Sequence, residues 1–290
     1  MHRIEGNGSP LLPPLAAFEA RAATFLADPG LRPALAGYCR AMLEPDAEAW
    51  PTAKFFNQFG RYMVGFLLIH QHEAWRAQGG PAPTLGRLQA TSSLSPRQTA
   101  NVVAGLRAGH LAEAEPGPDG RARILVPTAP LVAAIARSML AFLRAADTIE
   151  RPARARAPAF ESSPDHQAAL VHRTAEFALT HGILLDRFPR VFHFTGKDCG
   201  YLVLAAVIAA AYAPAGGPAP SLSSRSLAGR FRVSRSHIAS LTAAATRAGW
   251  FETDGRGRLT AIDPGFRAEY DAWAAAQLGL HTLLAEQILG

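Results

Sequence analysis

The feature that most constrains this chain is that it repeats itself. Gly79-Gly80-Pro81-Ala82-Pro83 recurs as Gly216-Gly217-Pro218-Ala219-Pro220, and each copy follows an apolar, helix-like run, Tyr62–His70 and Tyr201–Ala210. A Leu-x6-Ser unit comes next in both, from Leu88 to Ser95 and from Leu227 to Ser234. Ala108-Gly109-His110-Leu111 then answers Ala248-Gly249-Trp250-Phe251, and Gly120-Arg121-Ala122-Arg123 answers Gly255-Arg256-Gly257-Arg258. The order is the same throughout and the offset stays between 135 and 140 residues. Matches that keep one register argue for a duplicated unit, and 290 residues suffice for two cores. The spacing predicts N-terminal helices plus a first unit over 1–150, an extended proline-rich linker over 151–165, and a second unit over 166–290 ending in a long helix.

The second unit reads most clearly. Leu222 and Leu227 lie at helical spacing within 221–230, and Ser234 is a good N-cap for a helix over 235–248. That helix is apolar at Ile238, Leu241 and Ala245, and Gly249 stands where a left-handed residue closes it. Residues 250–253 and 258–262 read as two strands around a tight Asp254-Gly255 turn. Asp263-Pro264 then caps and opens a long amphipathic helix to about residue 289. The first unit has helices over 85–92 and 95–108, strands over 111–115 and 124–127, and a helix over 131–148. Its Thr99, Val102 and Leu106 stand at the positions of Ile238, Leu241 and Ala245. Two helices, a capped second helix, a hairpin and a final helix make a winged helix-turn-helix. The expected fold is therefore mainly α with small β-hairpin wings: tandem winged helix-turn-helix domains related by pseudo-two-fold symmetry and packed through flanking helices over 15–26, 31–42 and 165–185.

The run LAGRFRVSRSHIASLTAAATRAGWFETDGRGRLTAID resembles the DNA-binding core of bacterial winged-helix regulators of the MarR family. LSPRQTANVVAGLRAGHLAEAEPGPDGRARILVPT is a weaker match to the same pattern, and together the two cover about 75 to 90 residues per half. Three departures stand out. Ala245 replaces the usual Leu, the first copy is one residue shorter before Gly109, and two copies share one chain where the family is normally a homodimer of single-domain chains. The resemblance implies a cytoplasmic, sequence-specific DNA-binding transcriptional regulator acting as a single-chain pseudo-dimer. It also implies a small aromatic ligand held between the dimerisation helices and the DNA-binding core.

A winged helix inserts its second helix into the major groove N-terminus first and lays its wing on the backbone or minor groove. The outward positions are then Arg235, Ser236, His237 and Ser240 in the second copy, and Pro96, Arg97, Gln98 and Asn101 in the first. Arg can bridge guanine, and Gln or Asn can bridge adenine. Ser95 and Ser234 sit at helix N-termini, which suit a phosphate oxygen. Arg121, Arg123, Arg256 and Arg258 sit on the wing tips, where arginine suits a narrow minor groove. Unlike recognition helices favour two unlike half-sites about one helical turn apart. The first copy is the weaker reader, because Pro96 replaces Arg235 and Glu113, Glu115 and Asp119 flank its wing.

Charge placement agrees. The chain is net +6, and all but Lys54 and Lys197 of its 29 cations are arginine. Residues 85–123 hold five Arg against three acids, and residues 222–258 hold seven Arg against two, so these segments carry the whole excess. GC-rich codon usage explains arginine over lysine, not this placement.

Other chemistry is not signalled. Cys39 and Cys199 cannot build a disulfide framework or a four-thiolate site. His70 and His72 are two apart on a helix, and His166 and His172 are six apart, so neither pair converges. No Walker, Rossmann, HExxH or nucleophile-elbow motif occurs, so neither enzyme activity nor a metal or cofactor is expected. No secretory leader is read, and the longest apolar run, 199–213, is too short to span a bilayer, so a soluble protein is expected, without a membrane partner. The aromatic set Phe55, Phe56, Phe59, Tyr62, Phe66 with Phe188, Phe192, Phe194 and Tyr201 is the candidate lining for a ligand pocket at the junction; plain core packing is the alternative. The expected partners are double-stranded DNA, a small aromatic ligand and, beyond the pseudo-dimer, a second copy of the chain. A winged-helix protein-interaction module or scaffold that never touches DNA is the alternative function, and tandem winged-helix replication initiators are a third.

Overall fold

The computed structural model describes residues 12–44, 50–117, 122–182, 184–214, 217 and 219–290. Four helices lead: α1 (Leu15–Ala27), α2 (Leu31–Leu43), α3 (Trp50–Phe55) and α4 (Phe59–Gln78). The first repeat follows as α5 (Leu85–Thr91), α6 (Pro96–Ala108), β1 (Ala112–Pro116), β2 (Arg123–Pro127) and α7 (Ala129–Glu150). After α8 (Ala157–Glu161), α9 (Pro164–His181), a 3-10 turn (Leu184–Arg187), α10 (Pro189–Thr195) and α11 (Gly200–Ala211), the same order returns. It runs α12 (Ser224–Phe231), α13 (Arg235–Arg247), β3 (Phe251–Thr253), β4 (Leu259–Ile262) and α14 (Pro264–Leu289). The fold is mainly helical, with two small antiparallel two-stranded sheets, β1–β2 and β3–β4.

Local chemistry sets the boundaries. Ser95 and Ser234 accept from the backbone N–H groups of Gln98 and His237, and Asp263 accepts from Phe266 N at 2.7 Å to start α14. The two repeats superimpose in sequence one residue away from the Ala-Gly match. Leu111 N donates to Leu106 O as Trp250 N donates to Ala245 O, so His110 (φ 55°) is the counterpart of Gly249 (φ 72°). The left-handed residue lies fifteen positions after the cap serine in both copies, and only the second fills it with glycine.

Two details differ from the sequence reading. α12 begins at Ser224, not Ser221, because Leu222 N pairs with Gly257 O and holds residues 221–223 extended against the wing. The second wing tip is also longer than a two-residue turn. Asp254 N donates to Arg258 O, and a bulge falls at Glu252/Thr253.

The two cores do not follow the repeats. α2 packs on α11 and α1 on α14, while α9 packs on α4 and α7. Leu35, Tyr38 and Cys39 therefore share a core with Val203, Val207 and Tyr270. Leu170 and Val171 share the other with Val64, Leu68, Leu280 and Leu284. The leading helices of each half thus cross to the opposite one. α11 is buried from Leu202 to Ala209. Among the described residues α7 alone is long and apolar enough to cross a membrane, and most of its apolar window packs inside the fold.

Residues 151–165 are pinned, not loosely extended. Arg156, 6% exposed, donates to Asp147 (2.9 Å) and Glu286 (2.8 Å) and pairs with Glu150. Phe160 is fully buried, and Ala157 N donates to Asp147 Oδ2. One arginine and one phenylalanine among prolines have no period, so pattern reading passes over both.

Candidate nucleic-acid interface and junction cavity

On α13, the inward face is Ile238, Leu241 and Ala245, all buried. This leaves Ser234, Arg235, Ser236 and Ser240 exposed. Arg235 makes no ion pair among the described residues, nor do Arg256 and Arg258 at the exposed wing tip. The Asp254 carboxylate shapes that tip by accepting from the backbone N–H of Arg258 (2.8 Å) and Arg256 (2.9 Å). Those N–H groups, Arg258 first, hold its carboxyl below the usual range. The tip is locked to the body as well: a Cβ on Gly257 (φ 77°) would come within 2.3 Å of Ser223 N.

His237 is a different case from its neighbours. Its Nε2 lies 2.8 Å from the Asp198 carbonyl, just before α11, and the ring is half-buried. Helical phase places it among the base-edge candidates; the structure ties it to the body of the protein.

In the first copy, Arg97 and Asn101 on α6 and Arg123 on β2 are exposed. Gln98 is exposed too, but its Oε1 accepts from Ser95 N (3.1 Å) and Ser95 Oγ (2.9 Å), closing a capping box. Its amide oxygen is thereby engaged. Glu113 and Glu115 are exposed on β1. Arg121 and Asp119 lie outside the described residues.

Between the halves lies a cavity of about 620 Å³. Both repeats line it: α2 and α3 with Tyr38 and Thr52, α4 with Phe59, Tyr62 and Phe66, α7 with Ala134 and Phe142, α9 with Phe177, α11 with Tyr201, and α14 with Trp273, Gln277 and His281. Of the aromatic set expected there, Phe56, Phe59, Tyr62, Phe66 and Tyr201 line it. The other four do not. Phe55 packs against Gly105 of α6, Phe194 packs tilted against Trp250 and Phe266, Phe188 packs on the core that holds Leu35 and Tyr270, and Phe192 is 43% exposed.

Asn57 Nδ2, Trp273 Nε1 and both ring nitrogens of His281 are buried and have no hydrogen-bond partner among the described residues. Burial alone pushes the His281 imidazole down to about 3, which leaves it neutral at physiological pH. Tyr38 and Tyr201 hydroxyls pair with each other, and burial pushes both phenols up. Among the described residues no acidic side chain lines the cavity. A sequence signal for this site existed and was missed: Trp273, Gln277 and His281 form a polar-tipped stripe, four residues apart, on a buried face of α14.

The histidines excluded by spacing along one helix meet across two. His70 of α4 and His172 of α9 stack with ring centroids 4.9 Å apart and Nδ1 atoms 3.0 Å apart. Among the described residues no group of three or more His, Cys, Asp or Glu is arranged to hold a metal. Comparison with protein-family models finds no match, and comparisons with curated proteins and with solved structures find none either.

Proposed function

We propose that the chain is a sequence-specific DNA-binding transcriptional regulator, two MarR-like winged helix-turn-helix units joined as a single-chain pseudo-dimer. The observation that carries this reading is the second repeat's set of exposed arginines. Arg235 at the start of α13 and Arg256 and Arg258 on the wing project from one helix–hairpin unit, none of them in an ion pair among the described residues. Exposed cations outside close ion pairs are what a phosphate backbone recruits, and helix N-terminus plus wing is the docking geometry of this fold. Nothing here calls for catalysis. Phosphate neutralisation supplies affinity, and Arg235, with Ser236 and Ser240 beside it, supplies base-edge contacts.

The first repeat contributes less on this reading. Its Gln98 is held by the cap, and Glu113 and Glu115 face the solvent where phosphate would lie. That acidic wing favours, for the first repeat, the alternative role of a protein-docking surface.

The test is binding to a GC-rich genomic duplex pool at 50 and 200 mM salt, concentrations chosen for leverage. The expected affinity falls at least tenfold across that range in wild type and falls less in Arg256→Ala/Arg258→Ala. A flat salt response, or no recovery of preferred sequences by selection, defeats the DNA reading and leaves the protein-docking one.

A further inference from the structure

We infer that the stacked His70–His172 pair is a proton-operated latch that holds α4 against α9 and frees the first repeat's helix-turn-helix when both rings are protonated. The latch does not rest on the DNA-binding reading. It acts in the same way on a protein-docking unit.

The ring nitrogens leave room for one proton and not for two. His70 Nδ1 and His172 Nδ1 face each other at 3.0 Å, with 19° between the ring planes. His172 Nδ1 also lies 3.2 Å from the His70 carbonyl, which can only accept, so His172 carries the N–H and His70 Nδ1 accepts it. His172 Nε2 lies 3.5 Å from Glu176, which also bonds Arg173 at 3.1 Å. A second proton on His172 therefore meets an acceptor. One on His70 Nδ1 points straight at the Nδ1–H of His172, and two imidazolium rings repel across a seam that water screens poorly. Burial and the facing His172 hold the His70 imidazole down at about 4, which agrees with that geometry.

The other charges facing the pair do not cancel this. Glu176 of α9 favours a proton on His70, and Arg87 of α5 opposes it. On α4, Glu73 lies 3.3 Å from His72 and 3.7 Å from Arg76, and it also faces His172. Arg97 and Arg107 of α6 and Arg123 of β2 are exposed. Arg137 of α7 donates to the Ala41 carbonyl, and Arg144 pairs with Glu161 of α8. Asp147 and Glu150 of α7 and Glu286 of α14 are taken by Arg156.

Opening this seam reaches the first repeat before the second. α4 packs on α5, α6 and β2 as well as on α9. Gln71, next to His70, donates to Thr91 of α5 at 2.9 Å. Leu88 of α5 and Val102 and Leu106 of α6 share a core with Leu68 of α4 and Leu170 and Val171 of α9. Ile238, Leu241 and Ala245 of α13 belong to the other core, with Leu35 and Val203. Acid that parts α4 from α9 therefore loosens α5 and α6 while α13 keeps its packing, a protonated histidine pair biasing one of two packed arrangements.

Amide hydrogen exchange on the full chain at about pH 7 and about pH 5, corrected for the intrinsic pH dependence of exchange, reads the latch. A ring that titrates at 6.5 when freed and at about 4 when latched favours opening as pH falls between those values. Protection in the second half of α4, in α5 and in α6 is expected to fall at least tenfold, and protection in α13 less than threefold. His70→Gln is expected to cut the α5 and α6 response below threefold. His281 is also held down by burial, but its acid response reports in α14, where it sits. A second measurement needs no variant: in proton NMR the His70 and His172 Cε1–H resonances are expected to shift together, in two coupled steps. An equal acid response in α13, a response confined to α14, an unchanged response in a folded His70→Gln, or independent one-step titrations of the two rings overturns the latch. None of these readouts involves DNA, so failure of the regulator reading leaves them standing and is seen separately in the salt titration.

Discussion

His70 and His172 stack across the α4–α9 packing with Nδ1 atoms 3.0 Å apart, one imidazole donating to the other. His172 Nε2 lies 3.5 Å from Glu176, and His70 is also near Arg87. Burial, then the facing His172, pushes His70 down to about 4 from 6.5. A base with a depressed folded pKa binds fewer protons folded than unfolded. Stability is then full above 6.5 and is lost as pH falls from 6.5 towards 4. The loss is on the order of 2 kcal/mol after discounting for partial exposure. Urea midpoints measured from pH 7 to 4 are expected to fall, and His70→Gln is expected to flatten that limb. An identical acid limb in the variant would remove His70 from the account.

Arg156 is the second test. It is 6% exposed and bonds Asp147, Glu150 and Glu286, joining α7 and α14 through the segment between the repeats. Arg156→Met strands the Asp147 carboxylate, which is nearly buried, and is expected to cost about 3 kcal/mol. Glu286 is half exposed, so Glu286→Ala is expected to cost under about 1 kcal/mol. Denaturant unfolding measures both, and equal costs would contradict the assigned roles.

The contrast between these residues shows what the sequence could carry. The repeat, the cap serines, the inward faces of α6 and α13 and the strand pairs were legible, because each is a local pattern with a fixed period or a fixed partner three residues away. Arg156 and the His70–His172 pair were not. Their partners lie 102 residues away for His70 and 130 for the Arg156–Glu286 pair, and no local pattern reports a distant neighbour. The exchange of α2 and α9 between halves was hidden for the same reason. His237 illustrates the converse error. Its position on α13 is outward by helical phase, yet a long side chain at the first turn reaches back to Asp198.

Gly257 is the third test. Its φ of 77° suits glycine, and a Cβ there would lie 2.3 Å from Ser223 N, a backbone atom. Gly257→Ala is expected to cost about 1–3 kcal/mol in backbone strain alone, with further loss from the clash. It also breaks the seat of the Leu222 N–Gly257 O bond that docks the wing. Gly255, with nothing within 4 Å of its Cβ and no left-handed φ, is the control: Gly255→Ala is expected to leave Tm within a degree or so. Thermal unfolding of the pair decides it, and equal shifts would deny the wing this anchor.

The wing arginines and Arg235 separate affinity from sequence reading. Arg256 and Arg258 sit on an Asp254-braced tip, so removing their side chains leaves the backbone bonds that fold it. Arg256→Ala/Arg258→Ala is expected to weaken binding evenly across DNA sequences and to lower the salt slope by about 2, one for each phosphate contact. Arg235 opens α13, and on the proposed DNA-binding reading Arg235→Ala is expected to relax preference at one base pair by about 1–3 kcal/mol. Arg97→Ala in the first repeat is expected to do less, since Pro96, the cap-bound Gln98 and the acidic β1 surround it. Selection experiments on the three variants, run at two salt concentrations, measure all of these. If Arg97→Ala changes sequence preference more than Arg235→Ala, the first repeat is the reader and the assignment of the two halves must be reversed.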